Sequence, residues 1–177
     1  GFGCLVGRTR YIDDCLKACI DDGIKQLVIL GTGYDTRAHR FGELQEKTKV
    51  FEVDHPATQK VKIEKVSRIL GSLPSHVVYV SVDFEKERLD KKLFDSGYDK
   101  SLKTLFIWEG VTTYIMPEAV DRTLAFIVGN SGQGSSVVFD YYFESAVNGT
   151  SELKQAQKLR EAAAGMGEPL LFGINPD

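Results

Sequence analysis

Gly31, Gly33 and Asp54 carry the first chemical signal in this 177-residue chain. The two glycines form Gly31-Thr32-Gly33 directly after the apolar run Leu27-Val28-Ile29-Leu30. A turn without Cβ atoms lets the backbone bend tightly and lets a ligand come close to it. Asp54 lies 21 residues beyond Gly33, at the end of a second strand-like run, Val50 to Asp54 (VFEVD). At about that separation an acidic residue meets ribose hydroxyls in nucleoside-binding α/β folds. The simpler alternatives are an ordinary strand-to-helix turn for the glycines and, for Asp54, a helix N-cap before Pro56. Glu52 alternates with Asp54 along the same run, but it lies deeper and ranks second as a ribose ligand.

Charge in the turn narrows the choice of nucleoside. Asp35 and Thr36 offer N-caps for a helix predicted to run roughly to Gln45. A helix N-terminus ordinarily favours an anion, yet Asp35 would repel a pyrophosphate and welcome a cation. Thr36 also stands where the dinucleotide fingerprint has its third glycine. NAD is therefore disfavoured. S-adenosylmethionine has no phosphate and carries a sulfonium and an ammonium, so an acidic lining suits it. Five more positions could join the same mouth. Asp83 ends the run Val77 to Val82, as an adenine-proximal acid or as a loop cap, and Glu109 is delivered by the apolar run Thr104 to Trp108 (TLFIW). Tyr114 can reach the mouth or cap the core rim, and Arg8, like Arg10, could bind a carboxylate or simply be solvated.

The elements that must position these residues follow from periodicity. Gly1 to Thr9 reads as a glycine-rich loop and Tyr11 to Asp22 as a helix, with Ile12, Cys15, Leu16, Cys19 and Ile20 facing inward and Gly23 ending it. Ala57 to Leu70 reads as a helix that buries Ile63, Val66, Ile69 and Leu70 and turns Lys60, Lys62, Glu64 and Lys65 mostly outward. Glu85 to Leu93 is a charged surface helix or turn. A helix from Pro117 to Gly129 buries Val120, Leu124, Ile127 and Val128. Ser136 to Tyr142 is a fifth strand, Glu152 to Ala163 a last helix, and Pro169 to Gly173 a short further strand. Strands alternating with helices imply an α/β, Rossmann-like sheet, mostly parallel and wound on both faces, in order 3-2-1-4-5. The mouth should then lie between the ends of strands one and four. The outer edge of the fifth strand would need a covering segment near Pro169 to Gly173 or a second copy of the chain, so a homodimer is one expectation.

Composition bounds the rest. One domain spans 1–177 and is long enough to bury a core; 42% hydrophobic and 27% charged residues are ordinary for a globular protein. The net charge of -3 and the lack of a basic patch argue against nucleic acid. No run is long enough to cross a membrane, and no signal peptide is visible, which makes a cytoplasmic location the expectation. Cys4, Cys15 and Cys19 are read as buried free thiols; His39, His55 and His76 lie far from them, so no metal site is expected. A chain that opens on Gly1 and closes at Asp177 without an obvious terminal element reads as a piece of a longer protein at both ends.

The segments GRTRYIDD (Gly7 to Asp14), LGTGYDTRAHRF (Leu30 to Phe41), FEVDHPATQ (Phe51 to Gln59), Val82-Asp83-Phe84 and FIWEGVTTYIMPE (Phe106 to Glu118) together resemble the leucine carboxyl methyltransferases and the related polyketide O-methyltransferases. The resemblance covers most of the chain in order. It implies that Arg8 binds the methionine carboxylate of S-adenosylmethionine, that Gly31 lies under the cofactor, and that Asp54 holds the ribose. It further implies that Asp83 and Phe84 contact the adenine and that Glu109 meets the methionine moiety. Arg10, Arg37 and Tyr114 carry over more loosely. Family members continue into an antiparallel hairpin that completes a seven-stranded sheet, and this chain stops before it.

The implied reaction is methyl transfer to oxygen, yielding S-adenosylhomocysteine, with a small molecule or a protein C-terminal carboxylate as acceptor. A carboxylate is already ionised and needs no general base, whereas a hydroxyl benefits from one. His39 and His55 read as structural. The rivals are a nucleotide-dependent oxidoreductase or epimerase on a similar sheet and a catalytically silent module that keeps only the cofactor pocket.

Overall fold

A computed structural model describes residues 2–175; Gly1, Pro176, Asp177 and the side chains of Phe2 and Cys4 lie outside its described part. Five parallel strands form one sheet in the order β3-β2-β1-β4-β5: β1 (Gln26–Leu30), β2 (Lys49–Asp54), β3 (Val77–Ser81), β4 (Thr104–Trp108) and β5 (Ser136–Phe139). Every residue of β1 and β4 is buried, the condition their unbroken apolar runs require. Side chains alternate between two cores. Val28, Leu30, Phe51, Val53, Phe106 and Trp108 face one side, packed against α5 (Leu89–Asp95) and α6 (Pro117–Gly129). Leu27, Ile29, Val50, Leu105 and Ile107 face the other, against α1 (Phe2–Asp21), α2 (Arg37–Arg40) and α3 (Leu44–Lys47).

Several elements differ from the sequence expectation, each for a local reason. The first helix begins at Phe2, so the glycines at 3 and 7 are helical and lie on a solvent-facing turn where no neighbour needs a side chain. Its inward stripe holds, with Ile12 and Leu16 fully buried and the free thiols of Cys15 and Cys19 half-buried. The helix expected from Thr36 to Gln45 splits at Phe41, whose extended backbone turns its ring into the core, and α3 starts beyond Gly42. In α4 (Pro56–Leu70) the buried face is rotated: Gln59 and Lys62 are buried while Ile69 and Leu70 are exposed. The cause is Glu52 on the facing strand, a buried carboxylate that draws the lysine inward. In α6 Phe126 is buried and Val128 is 85% exposed, again a shift of phase.

Beyond β5, two helices follow, α7 (Glu144–Asn148), which the sequence reading missed, and α8 (Lys154–Gly165). The expected short strand at Pro169 to Gly173 is not formed. The Leu171 and Phe172 amides instead donate to the Thr113 carbonyl, and Ile174 bridges Phe143 beyond the end of β5. The segment therefore lies over the C-terminal ends of the strands and leaves the outer edge of β5 unpaired by any described strand. Among the described residues no helix is long and apolar enough to cross a membrane.

Candidate cofactor site

The mouth lies between the ends of β1 and β4, where the strand order reverses. Gly31 and Gly33 both have positive φ, at 66° and 50°. Their roles separate in three dimensions. A Cβ on Gly31 would stand 2.2 Å from Val111 Cγ2, so this glycine makes room for the loop after β4. Gly33 has open space before it and donates its amide to Asp54 Oδ2 at 2.5 Å.

Asp54 ends β2 and is 9% exposed. Its other oxygen accepts the His55 amide at 2.7 Å. Two backbone donors thus fix the carboxylate, and each oxygen keeps a lone pair for a further donor. The N-cap role falls to His55, whose Nδ1 accepts the Ala57 amide.

Asp54 borders a cavity of about 820 Å³ together with Asp83, Phe84, Val111, Tyr114 and Leu171. Asp83 is both things the sequence allowed: its side chain caps the loop by accepting the Glu85 amide and the Lys86 ammonium, and it faces the cavity. Lys86 holds its carboxyl below the usual range. Phe84 packs against the core, and Tyr114, in the 3-10 turn Thr112–Tyr114, is 37% exposed at the mouth.

A second cavity, of about 410 Å³, shares Gly31, Gly33 and Gly110 with the first and is bordered by Arg8, Asp35, Arg37 and Glu109. Here every named charge has a partner. Arg8 donates to Glu109 Oε1 at 2.8 Å and to Asp140 Oδ2 at 2.5 Å. Arg37 donates to Glu109 Oε2 at 2.7 Å, to Asp35 Oδ2 at 2.5 Å and to Asp13 Oδ1 at 2.8 Å, and Arg40 also reaches Asp13. Burial works against the Arg37 charge, but Asp35 first, then Asp13 and Glu109, more than restore it and raise its pKa. Asp13, Asp35, Glu109 and Asp140 against Arg8, Arg37 and Arg40 leave this chain of ion pairs one negative charge in excess.

Of the residues expected at the mouth, Arg8, Gly31, Gly33, Asp35, Asp54, Asp83, Phe84, Glu109 and Tyr114 line one or the other cavity, whereas Glu52, the second-ranked ribose candidate, is buried against Lys62 and lines neither. Asp35 differs from expectation in having its cation already, in Arg37. Arg10 does not enter the mouth; it pairs with Asp14 in solvent. The sequence reading missed Asp140, Asp13 and Arg40. Asp140 sat inside an expected strand that in fact ends at Phe139, and its carboxylate instead ties Arg8 to the Gly110 amide. Among the described residues no group of three or more His, Cys, Asp or Glu could hold a metal ion.

The two cavities, which share Gly31, Gly33 and Gly110, lie at the switch point of a parallel sheet in the order β3-β2-β1-β4-β5, the sheet order of the Rossmann-like methyltransferases it superposes on. A methyltransferase candidate of Thermobifida fusca YX superposes with a TM-score of 0.61, at 18% identity over 86% of this chain and 56% of its own. Magnesium protoporphyrin IX methyltransferase of Synechocystis PCC 6803, solved with bound SAH, superposes at 0.56, with 11% identity over 97% of this chain and 68% of its own. The chain belongs to the leucine carboxyl methyltransferase family, which matches residues 3–128. A Bacillus subtilis (strain 168) protein, YktD, named as a candidate S-adenosyl-L-methionine-dependent methyltransferase, is 35% identical over 165 residues, covering 93% of this chain and 54% of that protein. The chain thus spans about half the length of the curated relatives it matches.

Proposed function

We propose that the mouth binds S-adenosylmethionine and that the protein is an O-methyltransferase acting on a hydroxyl or carboxylate acceptor, a small molecule or a protein C-terminus. The observation that carries the reading is the Arg8–Glu109 pair beside the Gly33–Asp54 contact. A zwitterionic amino-acid end can replace the first, its carboxylate on Arg8 and its ammonium on Glu109, while a ribose diol takes the free lone pairs of Asp54. The excess negative charge of the ion-pair chain suits a ligand of net positive charge and opposes a pyrophosphate, which sets the NAD-dependent alternative aside. Asp83 and Phe84 supply an acceptor and a ring face for adenine.

When bound, S-adenosylmethionine supplies a methyl group on a sulfonium, open to in-line displacement. The chain's own residues orient and exclude water. Gly31, Gly33 and Gly110 bring backbone close to the ligand at the junction of the two cavities. Val111, Ile115 and Leu171 form the apolar wall, and Tyr114 stands where the acceptor enters, to position its oxygen. Orientation of this kind can supply about 7–11 kcal/mol of the barrier. The larger cavity is lined by Asp54, Asp83, Glu85 and Glu168 with only Lys86 against them, which favours a neutral hydroxyl over a carboxylate.

Isothermal titration separates the readings. S-adenosylhomocysteine is expected to bind while NAD gives no heat, and the reverse would refute the assignment. Radiolabelled methyl transfer to neutral hydroxyl and carboxylate acceptors of matched size then decides between the acceptor classes.

A further inference from the structure

Glu52 on β2 and Lys62 on α4 form a buried ion pair that lines neither cavity, exposed by only 1% and 4%. Lys62 Nζ lies 2.7 Å from Glu52 Oε2 and donates to the Asp35 carbonyl at 2.8 Å. His39 Nε2, 3.7 Å from Glu52 Oε1, and the Tyr79 hydroxyl share this seam without hydrogen-bonding to it. Burial first, then Lys62, keeps His39 toward its neutral form.

Packing does not account for such a pair. Apolar side chains of similar volume generally serve a core at least as well as a desolvated ion pair. They could not, however, donate to the Asp35 carbonyl. That carbonyl belongs to the residue whose side chain accepts both the Arg37 amide, at 2.6 Å, and the Arg37 guanidinium, and Arg37 in turn holds Glu109. A line of direct contacts therefore runs from Lys62 through Asp35 and Arg37 to the carboxylate assigned to the cofactor ammonium.

We infer that Lys62 is a positioning residue for the cofactor turn: by holding the Asp35 backbone from behind, it sets the orientation in which Arg37 presents Glu109. Glu52 is the counter-charge that lets an ammonium occupy that place. The inference rests on the cofactor reading above.

The test compares wild type, Lys62→Met, Glu52→Leu and the double variant, each at the protein's natural length, by melting temperature and by calorimetric affinity for S-adenosylhomocysteine. Lys62→Met leaves a buried carboxylate unpaired and lowers the melting temperature; the double variant recovers most of that loss. Affinity behaves differently. It falls about tenfold or more in both proteins lacking Lys62, and stays within about threefold of wild type in Glu52→Leu, because the Lys62 amine still donates to the Asp35 carbonyl. Double-variant affinity equal to that of wild type would overturn the inference and leave the cofactor reading standing. Wild type without affinity would remove both. Should Lys62→Met not fold, Glu52→Leu and the double variant still differ only at position 62, and equal affinities in that pair would overturn the inference.

Discussion

The two halves of the mouth are held by different forces. In the smaller cavity, the half proposed for the amino-acid end, Arg8, Arg37 and Arg40 are matched with Asp13, Asp35, Glu109 and Asp140 before any ligand arrives, and the Arg37 side chain is only 4% exposed. In the larger cavity, the half proposed for the nucleoside, Asp54 is held by two backbone amides and needs no counter-charge. The difference predicts what each half tolerates. Removing a partner from the ion-pair chain strands buried charge and damages fold and binding together. Removing Asp54 deletes the proposed ligand contacts and releases only two amides onto a solvent-accessible cavity.

The largest effect is expected for Arg37→Met. It leaves Asp13, Asp35 and Glu109 without their shared cation, a loss of about 3–5 kcal/mol in stability by urea unfolding. A loss below about 1 kcal/mol would erase the contrast between the halves. Next comes Arg8→Ala, expected to weaken S-adenosylhomocysteine binding about tenfold or more in calorimetry, with a smaller stability cost because Arg8 is 30% exposed. Arg10→Ala is its control: paired only with Asp14 in solvent, it should leave affinity and melting temperature unchanged. If Arg10 proved the more damaging of the two, the amino-acid side would be misassigned.

The smallest effect concerns pH. Burial lowers the folded-state pKa of His39 below its unfolded value of about 6.5, so the folded chain binds fewer protons. The resulting stability is fully present above about pH 6.5 and is lost as pH falls from there through the lower folded value. His39→Leu should flatten the decline in melting temperature between about pH 7.5 and 5.5. Burial raises the pKa of Glu52, which acts in the opposite sense, so the informative quantity is the difference between the variant and wild type. An unchanged slope would show that His39 takes up its proton at the same pH in the folded and unfolded chain.

Much of this was legible in sequence because the signals were redundant. Unbroken apolar runs at β1 and β4, Gly31 and Gly33 at a strand end, and an acid about 20 residues further on all point to one topology. The phases of α4 and α6 were not legible, since apolar periodicity does not register that one buried acid, Glu52, admits a lysine to the core. Asp140 escaped because its role depends on β5 ending at Phe139, three residues before the expected end at Tyr142, and strand ends are set by tertiary contacts. The segment at 169–173 shows local strand propensity overridden by two hydrogen bonds to Thr113.

Asp54→Ala tests the central assignment most directly, by paired measurement of S-adenosylhomocysteine affinity and melting temperature. Two charge-assisted bonds to a ribose diol, each worth about 1.5 kcal/mol, predict a loss of affinity of about a hundredfold. The fold should survive, with a melting temperature lower by no more than about 4 °C. Wild-type affinity in a folded Asp54→Ala protein would contradict the account, because it would take the ribose, and with it the cofactor, away from this mouth.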